Sequence, residues 1–240
     1  AIEGASLEAN KGAYSYAWMI IFAVIAAIMV LIGLYHIRML PSNQIPSTTK
    51  KTTSEVGREL VAVIANFFTK KHIFYYICFI ILYRLAEGFI MKIAPLFLRA
   101  SREVGGLGLS LKEIGTLNGV FGSAAFVLGS LLAGIYVSKF GLKRTLFTLC
   151  CIFNLPFVAY TFLAVTQPTN VYLIGTCITM EYFGYGFGFV GLTLFMMQQI
   201  APGKHQMAHY AFASGIMNLG LMIPGSLSGT VCDWIGYHDF

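Results

Sequence analysis

The chain has 240 residues, of which 57% are apolar and 11% charged, and its mean hydropathy is +0.74. Soluble domains have about 45–50% apolar and about 25% charged residues, so this composition excludes an ordinary soluble protein. A net charge of +6 favours nucleic acid in a soluble chain, whereas in a membrane protein it first reflects the charge of the loops. The five cysteines lie in or beside apolar runs without C-x-x-C spacing, which indicates core residues and neither a disulfide frame nor a metal site.

Six apolar segments are long enough to cross a bilayer, which requires about 20 mainly apolar residues in a helix. They cover about residues 14–36, 73–98, 114–137, 145–166, 171–197 and 209–232. Residues 138–144 and 167–170 form short joints of the kind that connects antiparallel neighbours. The sequence therefore predicts an all-α membrane protein with six transmembrane helices.

The long connection at residues 37–72 begins with a stretch rich in Pro, Ser and Thr, which is typical of a flexible linker. Apolar residues then recur at helical spacing, namely Val56, Leu60, Val63, Ile64, Phe67 and Phe68. Charged residues lie between them, so this pattern predicts a short amphipathic helix on the membrane face. A linker helix surrounded by water is the alternative.

The basic residues predict the orientation of the chain, because cytoplasmic loops of membrane proteins are richer in Lys and Arg. The joints at residues 37–72, 138–144 and 198–208 hold ten of them, whereas the opposite side holds four, mixed with four glutamates. We therefore expect a multi-pass membrane protein, with the long linker in the cytoplasm and both chain ends outside. The topology of the chain explains its excess of basic over acidic residues, so nucleic acid is not an expected partner.

The two ends of the sequence predict a piece of a longer protein. The chain begins with Ala1 instead of Met, and its first apolar segment is too long for a signal peptide and has no basic leader. It stops at Phe240, where a further turn and helix are expected. We predict that an N-terminal half and a last helix of the same chain are missing.

Three charged residues interrupt the second segment, where each charge costs roughly 2.5–3.5 kcal/mol to insert. Arg84 and Glu87 stand three residues apart, so they share a helical face and can neutralise each other. Tyr76 and Tyr83 fall on the same side. The pair is either a structural ion pair between helices or a contact for substrate or protons. Lys92 lies about six residues from the outer end of its helix, so its ammonium either joins this site or reaches the interface.

Glu181 lies near the middle of the fifth segment, where a carboxylate must find a cation or a proton. It is a candidate proton carrier, a candidate partner of Arg84 or Lys92, or a structural residue. Single amides lie in other apolar segments, at Asn118, Asn154 and Asn218. Hydrogen bonds between helices explain these amides at least as well as ligand contact does.

The glycine run at residues 184–188 resembles a nucleotide loop only superficially. It has no strand before it and lies inside a hydrocarbon span, so close helix packing is the better interpretation. The hydrolase motifs H-E-x-x-H and G-x-S-x-G do not occur in the sequence. We expect no metal, no cofactor and no enzymatic activity.

One cytoplasmic joint, residues 134–144, resembles the loop motif G-x-x-x-D-R-x-G-R-R of the major facilitator transporters. The matching positions are Gly134, Lys139, Gly141, Lys143 and Arg144. The resemblance implies a gating loop between paired helices. Ser138 stands where these transporters have aspartate, so a charge relay through that position is not implied here.

A second stretch resembles the second half of the AmpG-type muropeptide permeases. Residues 83–87 (YRLAE) correspond to their Y-R-x-x-D, with Glu87 in place of Asp, and residues 108–115 (GLSLKEIG) correspond to their G-F-S-x-x-E-I-G. This likeness covers about residues 60–236. It implies that the six helices are helices 6–11 of a twelve-helix fold, in which helices 7, 8, 10 and 11 line the central cavity.

The resemblance also implies a division of the chain and a function. Residues 1–36 would be an outer lead and helix 6, residues 37–72 the cytoplasmic linker between two halves, and residues 73–240 a truncated C-terminal half. The function would be proton-coupled import of a muropeptide or a related sugar or anionic solute. The candidate residues for solute binding and proton coupling are Tyr83, Arg84, Glu87, Lys92, Asn118, Glu181 and Asn218.

The expected partners are the solute, protons, the lipid bilayer and the missing N-terminal half of the chain. Two alternatives come from other functional classes. One is an integral membrane enzyme of the transferase type, and the other is a membrane sensor that transports nothing.

Overall fold

The computed structural model describes residues 2–39 and 52–240, and the side chains of residues 15–39, 52–237 and 240. The described residues form helices and their connections, without a β-strand. They divide into two units, Ala1–Thr52 and Thr53–Phe240. The first unit contains one long helix, α1 (Ile2–Met39).

The second unit contains eight α-helices joined by short turns. They are α2 (Thr53–Phe68), α3 (Ile73–Arg99), α4 (Leu111–Thr116), α5 (Ser123–Phe140), α6 (Leu142–Asn154), α7 (Val158–Thr166), α8 (Val171–Phe195) and α9 (Gln206–Asp239). A π-helical turn, Leu117–Gly122, joins α4 to α5. A 3₁₀ turn, Leu155–Phe157, joins α6 to α7, because Pro156 has no backbone N–H to continue the α-helical ladder. The predicted third and fourth segments are therefore continuous but irregular.

Five helical stretches of the described chain are long and apolar enough to cross a membrane. They are Ser15–Met39, Ile73–Arg99, Leu111–Phe140, Leu142–Thr166 and Gln206–Tyr237. The predicted fifth segment forms the 25-residue helix α8, which is not among them because glycines, tyrosines and Glu181 lower its hydropathy. Protein surrounds much of α8, so it needs less apolar surface than a helix that faces lipid.

Glycines let α8 pack closely against α5. A Cβ added at Gly186 would lie 2.1 Å from the carbonyl oxygen of Phe126, and one at Gly129 would lie 2.3 Å from that of Phe183. Only hydrogen fits at such distances, so the two backbones touch. On another face of α8, a Cβ at Gly188 would lie 2.3 Å from Cβ of Phe153 on α6. The interpretation of the glycine run as a packing feature is confirmed.

Helices α3 and α9 form a second close pair. A Cβ added at Gly88 would lie 2.4 Å from Cγ of Pro224 and 2.7 Å from the carbonyl oxygen of Leu221. The hydroxyl group of Tyr83 on α3 donates a 2.8 Å hydrogen bond to the carbonyl of Gly188 on α8. This bond links the two close pairs of helices in one bundle.

The predicted helix in the long connection is confirmed as α2, and it docks on one end of the bundle. The side chain of Phe67 is 1% exposed and packs against the rings of His209 and Phe212 on α9. Nε2 of His209 lies 3.3 Å from the carbonyl oxygen of Val63. Much of the remaining apolar face of α2 is exposed, including Leu60, so its position on a membrane surface stays a prediction.

A lysine after α2 adds a polar attachment to the same end of the bundle. Nζ of Lys70 donates hydrogen bonds to the carbonyls of Ile200 and Pro202, in the joint that precedes α9. Partial burial lowers the pKa of this ammonium from its ordinary value. The connection between α2 and α3 is thus tied to the connection between α8 and α9.

We expect Gly186→Ala to lower the melting temperature of the full-length protein in detergent. Its methyl group would overlap the Phe126 carbonyl on α5, and overpacking of this kind costs about 1–3 kcal/mol. The control is Gly134→Ala on α5, where an added Cβ meets nothing within 4 Å. Equal melting temperatures for the two variants would contradict the close contact of α8 with α5.

Candidate functional site

The pair expected on α3 is formed in the middle of the bundle. Nε of Arg84 lies 2.7 Å from Oε2 of Glu87, and Nη2 contacts Oε1. Each residue is only 3% exposed, so the bidentate bond replaces much of the hydration that both charges have lost. The three-residue spacing on one helix provides this geometry without a second helix.

Aromatic side chains surround the pair. The guanidinium of Arg84 lies 5.5 Å from the ring centre of Phe189 on α8, a cation–π distance. Tyr185 on α8 is close enough to interact with both Arg84 and Glu87. Tyr83 instead points to Gly188 and packs its ring on Phe153 at 4.8 Å. The structure thus places Tyr83 as a helix-to-helix contact beside the pair.

A small cavity of about 70 Å³ lies next to the pair. It brings together three residues selected from the sequence, Glu87, Asn118 and Glu181. They come from α3, from the π-helical turn before α5 and from α8. The cavity can hold a few water molecules, each of which occupies about 30 Å³ in the liquid. It is much smaller than pockets for drug-sized ligands, about 300–1,000 Å³.

Three tyrosines of the cavity wall were not identified from the sequence: Tyr160, Tyr182 and Tyr185. The spacing of Tyr185 would have allowed its prediction, since it stands four residues after Glu181 on the same face of α8. Tyr160 belongs to α7, and no spacing in the sequence connects α7 with the two glutamates. Only the packing of α7 beside α8 shows that its hydroxyl group belongs here.

The two carboxyl groups of the cavity differ in their partners. Glu87 is paired with Arg84. Glu181 is half-buried, and among the side chains of residues 15–39, 52–237 and 240 no Lys or Arg nitrogen lies within salt-bridge distance of its carboxylate. The cavity therefore contains one neutralised carboxylate and one whose charge no neighbouring cation balances.

Asn118 contributes a polar atom without a partner. Its Oδ1 is buried and accepts no hydrogen bond from the described part of the chain. Buried amide oxygens are normally satisfied, and an exception calls for a water molecule or a ligand group. Its π-helical turn is a departure from the α-helix that is frequent at functional sites. Asn118 is thus available to a molecule inside the cavity.

Two other candidates lie outside the cavity. Lys92 is exposed, and its side chain lies against Gly225 of α9, where an added Cβ would be 3.4 Å from Cγ of Lys92. Asn218 is exposed on α9. The third amide, Asn154, donates to the carbonyl of Cys150 within its own helix.

The predicted gating joint is shorter than the sequence indicated. Helix α5 ends at Phe140 and α6 begins at Leu142, so the turn is formed by Gly141 alone, at φ +79°. Lys139 lies over the ring of Phe140 at 5.5 Å. Lys143 and Arg144 are exposed in the first turn of α6, and Gly134 is exposed on α5. Four of the five matching positions therefore lie at one tight reversal of the chain, and Gly134 lies about two helical turns before it.

The sequence profile of the Major Facilitator Superfamily matches residues 12–229, which is most of the chain. The chain belongs to the Major Facilitator Superfamily. The predicted all-α membrane fold and the family resemblance are thereby confirmed, and the apolar helices make the chain a multi-pass membrane protein. Members of this superfamily are transporters.

Two curated proteins are similar to the chain at low identity. The anhydromuropeptide permease of Escherichia coli (strain K12) is 23% identical over 195 residues, which is 81% of this chain and 38% of that protein. A protein of Rickettsia bellii (strain RML369-C) named putative transporter AmpG 1 is 24% identical over 224 residues, 92% of this chain and 52% of that protein. The chain thus spans about half of these relatives or less.

We expect a double-mutant cycle at Arg84 and Glu87 to be strongly non-additive. Arg84→Met leaves a buried carboxylate without its cation, and breaking a buried pair costs about 3–5 kcal/mol. Arg84→Met combined with Glu87→Met removes both charges and should melt at a higher temperature than Arg84→Met alone. Thermal unfolding of the full-length protein in detergent measures the melting temperatures of the single and the double variants. The control is Lys139→Met, which removes an exposed charge. If the losses of stability in the single variants simply add in the double variant, the ion pair does not determine the stability of α3.

Proposed function

We propose that the chain is part of a proton-coupled secondary transporter of the inner membrane, in which Glu87 and Glu181 exchange the proton. The observation that carries this proposal is their meeting at one small cavity, with Glu87 paired to a cation and Glu181 without one among the described side chains. Carboxyl groups at membrane depth are typical of proton relays in transporters. In this proposal, residues 1–36 belong to helix 6 of a twelve-helix protein, residues 37–72 to the linker and residues 73–240 to the C-terminal half.

The size of the cavity supports protons or water as its contents. At about 70 Å³ it has no room for a sugar or a peptide. A proton on Glu87 removes the charge that holds the Arg84 guanidinium, and Arg84 is then free to bind an anionic group. Return of the proton to Glu181 restores the ion pair. Proton movement between the two carboxyls is thus linked to the availability of the guanidinium.

The similar proteins suggest the solute. One is named anhydromuropeptide permease, and we propose import of an anhydromuropeptide or a related anionic sugar by the complete protein. Arg84 suits a carboxylate of such a solute, because guanidinium groups bind carboxylates in a bidentate manner. Lys92 and Asn218 are exposed and are proposed to contact the solute from α3 and α9 outside the cavity, with Asn118 at the boundary.

Alternating access moves two halves of a transporter around a site near the membrane midplane. The two halves here are residues 73–240 and the N-terminal half of the complete protein. The turn at Gly141 and the basic residues beside it are proposed to form part of the gate on the cytoplasmic side.

We expect Glu87→Gln and Glu181→Gln to lower proton-driven uptake of anhydromuropeptide by the full-length protein at least tenfold. Neither amide can take up and release a proton, whereas both preserve the size of the side chain. Exchange of labelled for unlabelled solute, which needs no net proton movement, should be retained by Glu181→Gln. Uptake into vesicles with and without an imposed pH gradient measures both activities.

The control is Glu103→Gln, which changes an exposed glutamate outside the cavity. Uptake at the wild-type rate in both cavity variants would overturn the proton-coupling proposal. Wild-type vesicles that accumulate neither anhydromuropeptide nor another anionic sugar, but accumulate a neutral sugar with the pH gradient, would overturn the solute assignment and leave the coupling proposal intact.

A further inference from the structure

We propose that α2 is a pH-sensitive latch, which docks on α9 while the imidazole of His209 is neutral and is released when this ring takes up a proton. The latch lies at the end of the bundle where Lys70 joins the connection between α2 and α3 to the connection between α8 and α9. The lining of the small cavity does not include His209. The latch therefore depends on a histidine that has no part in the proposed proton site.

His209 is fully buried at the contact between α2 and α9. Its side chain is 0% exposed, and that of Phe67 on α2 is 1% exposed. The centre of the Phe67 ring lies 5.7 Å from that of His209 and 5.6 Å from that of Phe212 on α9. Docking of α2 thus places an apolar ring beside the imidazole. Because the imidazole cannot reach water there, the neighbouring protein groups determine which of its protonation states is stable.

One nitrogen of the His209 ring has a hydrogen-bond partner and the other has none. Nε2 lies 3.3 Å from the carbonyl oxygen of Val63 on α2. A carbonyl only accepts, so Nε2 carries the hydrogen and donates it. Nδ1 is buried, and the described part of the chain provides no partner for it. In the imidazolium, Nδ1 would be a charged N–H donor without an acceptor, so the docked state favours the neutral ring.

The ionisable groups that face the ring are basic. Lys70, after α2, and His205, before α9, are close enough to act on His209 electrostatically, and the two histidine rings lie 5.9 Å apart. Two backbone carbonyls hold the Lys70 ammonium in place. Among the described side chains, no carboxylate lies within ion-pair distance of His209. The ring of Phe67 offers only a weak cation–π attraction, so a proton on His209 adds a positive charge that no anion balances.

The sign of the pH dependence follows from these contacts. Release of α2 exposes the ring to water, where the ordinary pKa of histidine is about 6.5. Since the docked state disfavours the protonated ring, docking is strongest above this pH and weakens as the pH falls below it. Each pH unit below about 6.5 lowers the docking constant about tenfold, as long as the docked ring stays neutral. Acidic conditions at this end of the bundle therefore release α2 from α9.

Hydrogen–deuterium exchange of the full-length protein in detergent, measured in α2 peptides at about pH 8 and about pH 5.5, tests the latch. His209→Gln keeps an N–H group for the Val63 carbonyl but cannot ionise, and His209→Phe keeps an aromatic ring beside Phe67. Neither variant changes α2, so the intrinsic exchange of its amides equals that of the wild type at each pH. The exchange rate in the wild type divided by that in either variant should rise about tenfold between the two pH values.

The matched control is His36→Gln, the same exchange at an exposed histidine of α1, which should behave as the wild type at both pH values. Phe67→Ala removes the docking contact and gives the exchange rate of released α2. Three results would overturn the proposal. They are a rate ratio that stays constant for either His209 variant, an equal rise in peptides of α5, and wild-type α2 exchange as fast as in Phe67→Ala at both pH values.

Discussion

The close approach of α8 to its neighbours is the constraint on which the rest of the bundle depends. Glycines at positions 186 and 129 bring the backbones of α8 and α5 together, and Gly188 does the same toward Phe153 on α6. In a bilayer no hydrophobic force drives helices together, so stability depends on such contacts and on hydrogen bonds between helices. Bulkier residues at these positions would overlap α5 or α6 and displace α8, which carries Glu181. The packing of one glycine-rich helix therefore controls the geometry of the charged site.

The charged residues at membrane depth differ in whether a residue of opposite charge lies beside them. Arg84 and Glu87 neutralise each other on one helix, so this pair adds little net charge to the interior. Glu181 has no cation partner in the described part of the chain and shares a small cavity with Glu87 and Asn118.

Much of the fold could be predicted from periodicity and local pairing. The apolar segments located most helix ends to within a few residues, because a helix that crosses the bilayer requires about 20 apolar residues. The exceptions are the start of α1, which is at Ile2, and the end of α9, which is at Asp239. Helix α8 was located from the sequence as well, and its glycines and polar residues are tolerated since protein contacts it on several sides. The spacing of Arg84 and Glu87 was sufficient to predict their ion pair, because residues three apart on a helix are neighbours. In contrast, the sequence did not distinguish Asn118, which lines the cavity, from Asn218, which is exposed on α9.

By itself the sequence determined that the chain is a helical membrane protein, which few residues are charged at membrane depth, and which family the chain resembles. These are local properties, governed by hydropathy, helical period and short motifs. Only the tertiary structure decided that Glu87, Glu181, Asn118 and Tyr160 share one cavity and that Lys92 does not. The reason is that packing between residues distant in sequence determines how each helix is rotated and which helices it contacts. Examples are the contacts of Gly186 with Phe126 and of Gly88 with Pro224. Packing of the same kind buries His209 beside α2, a contact that no motif in the sequence indicated.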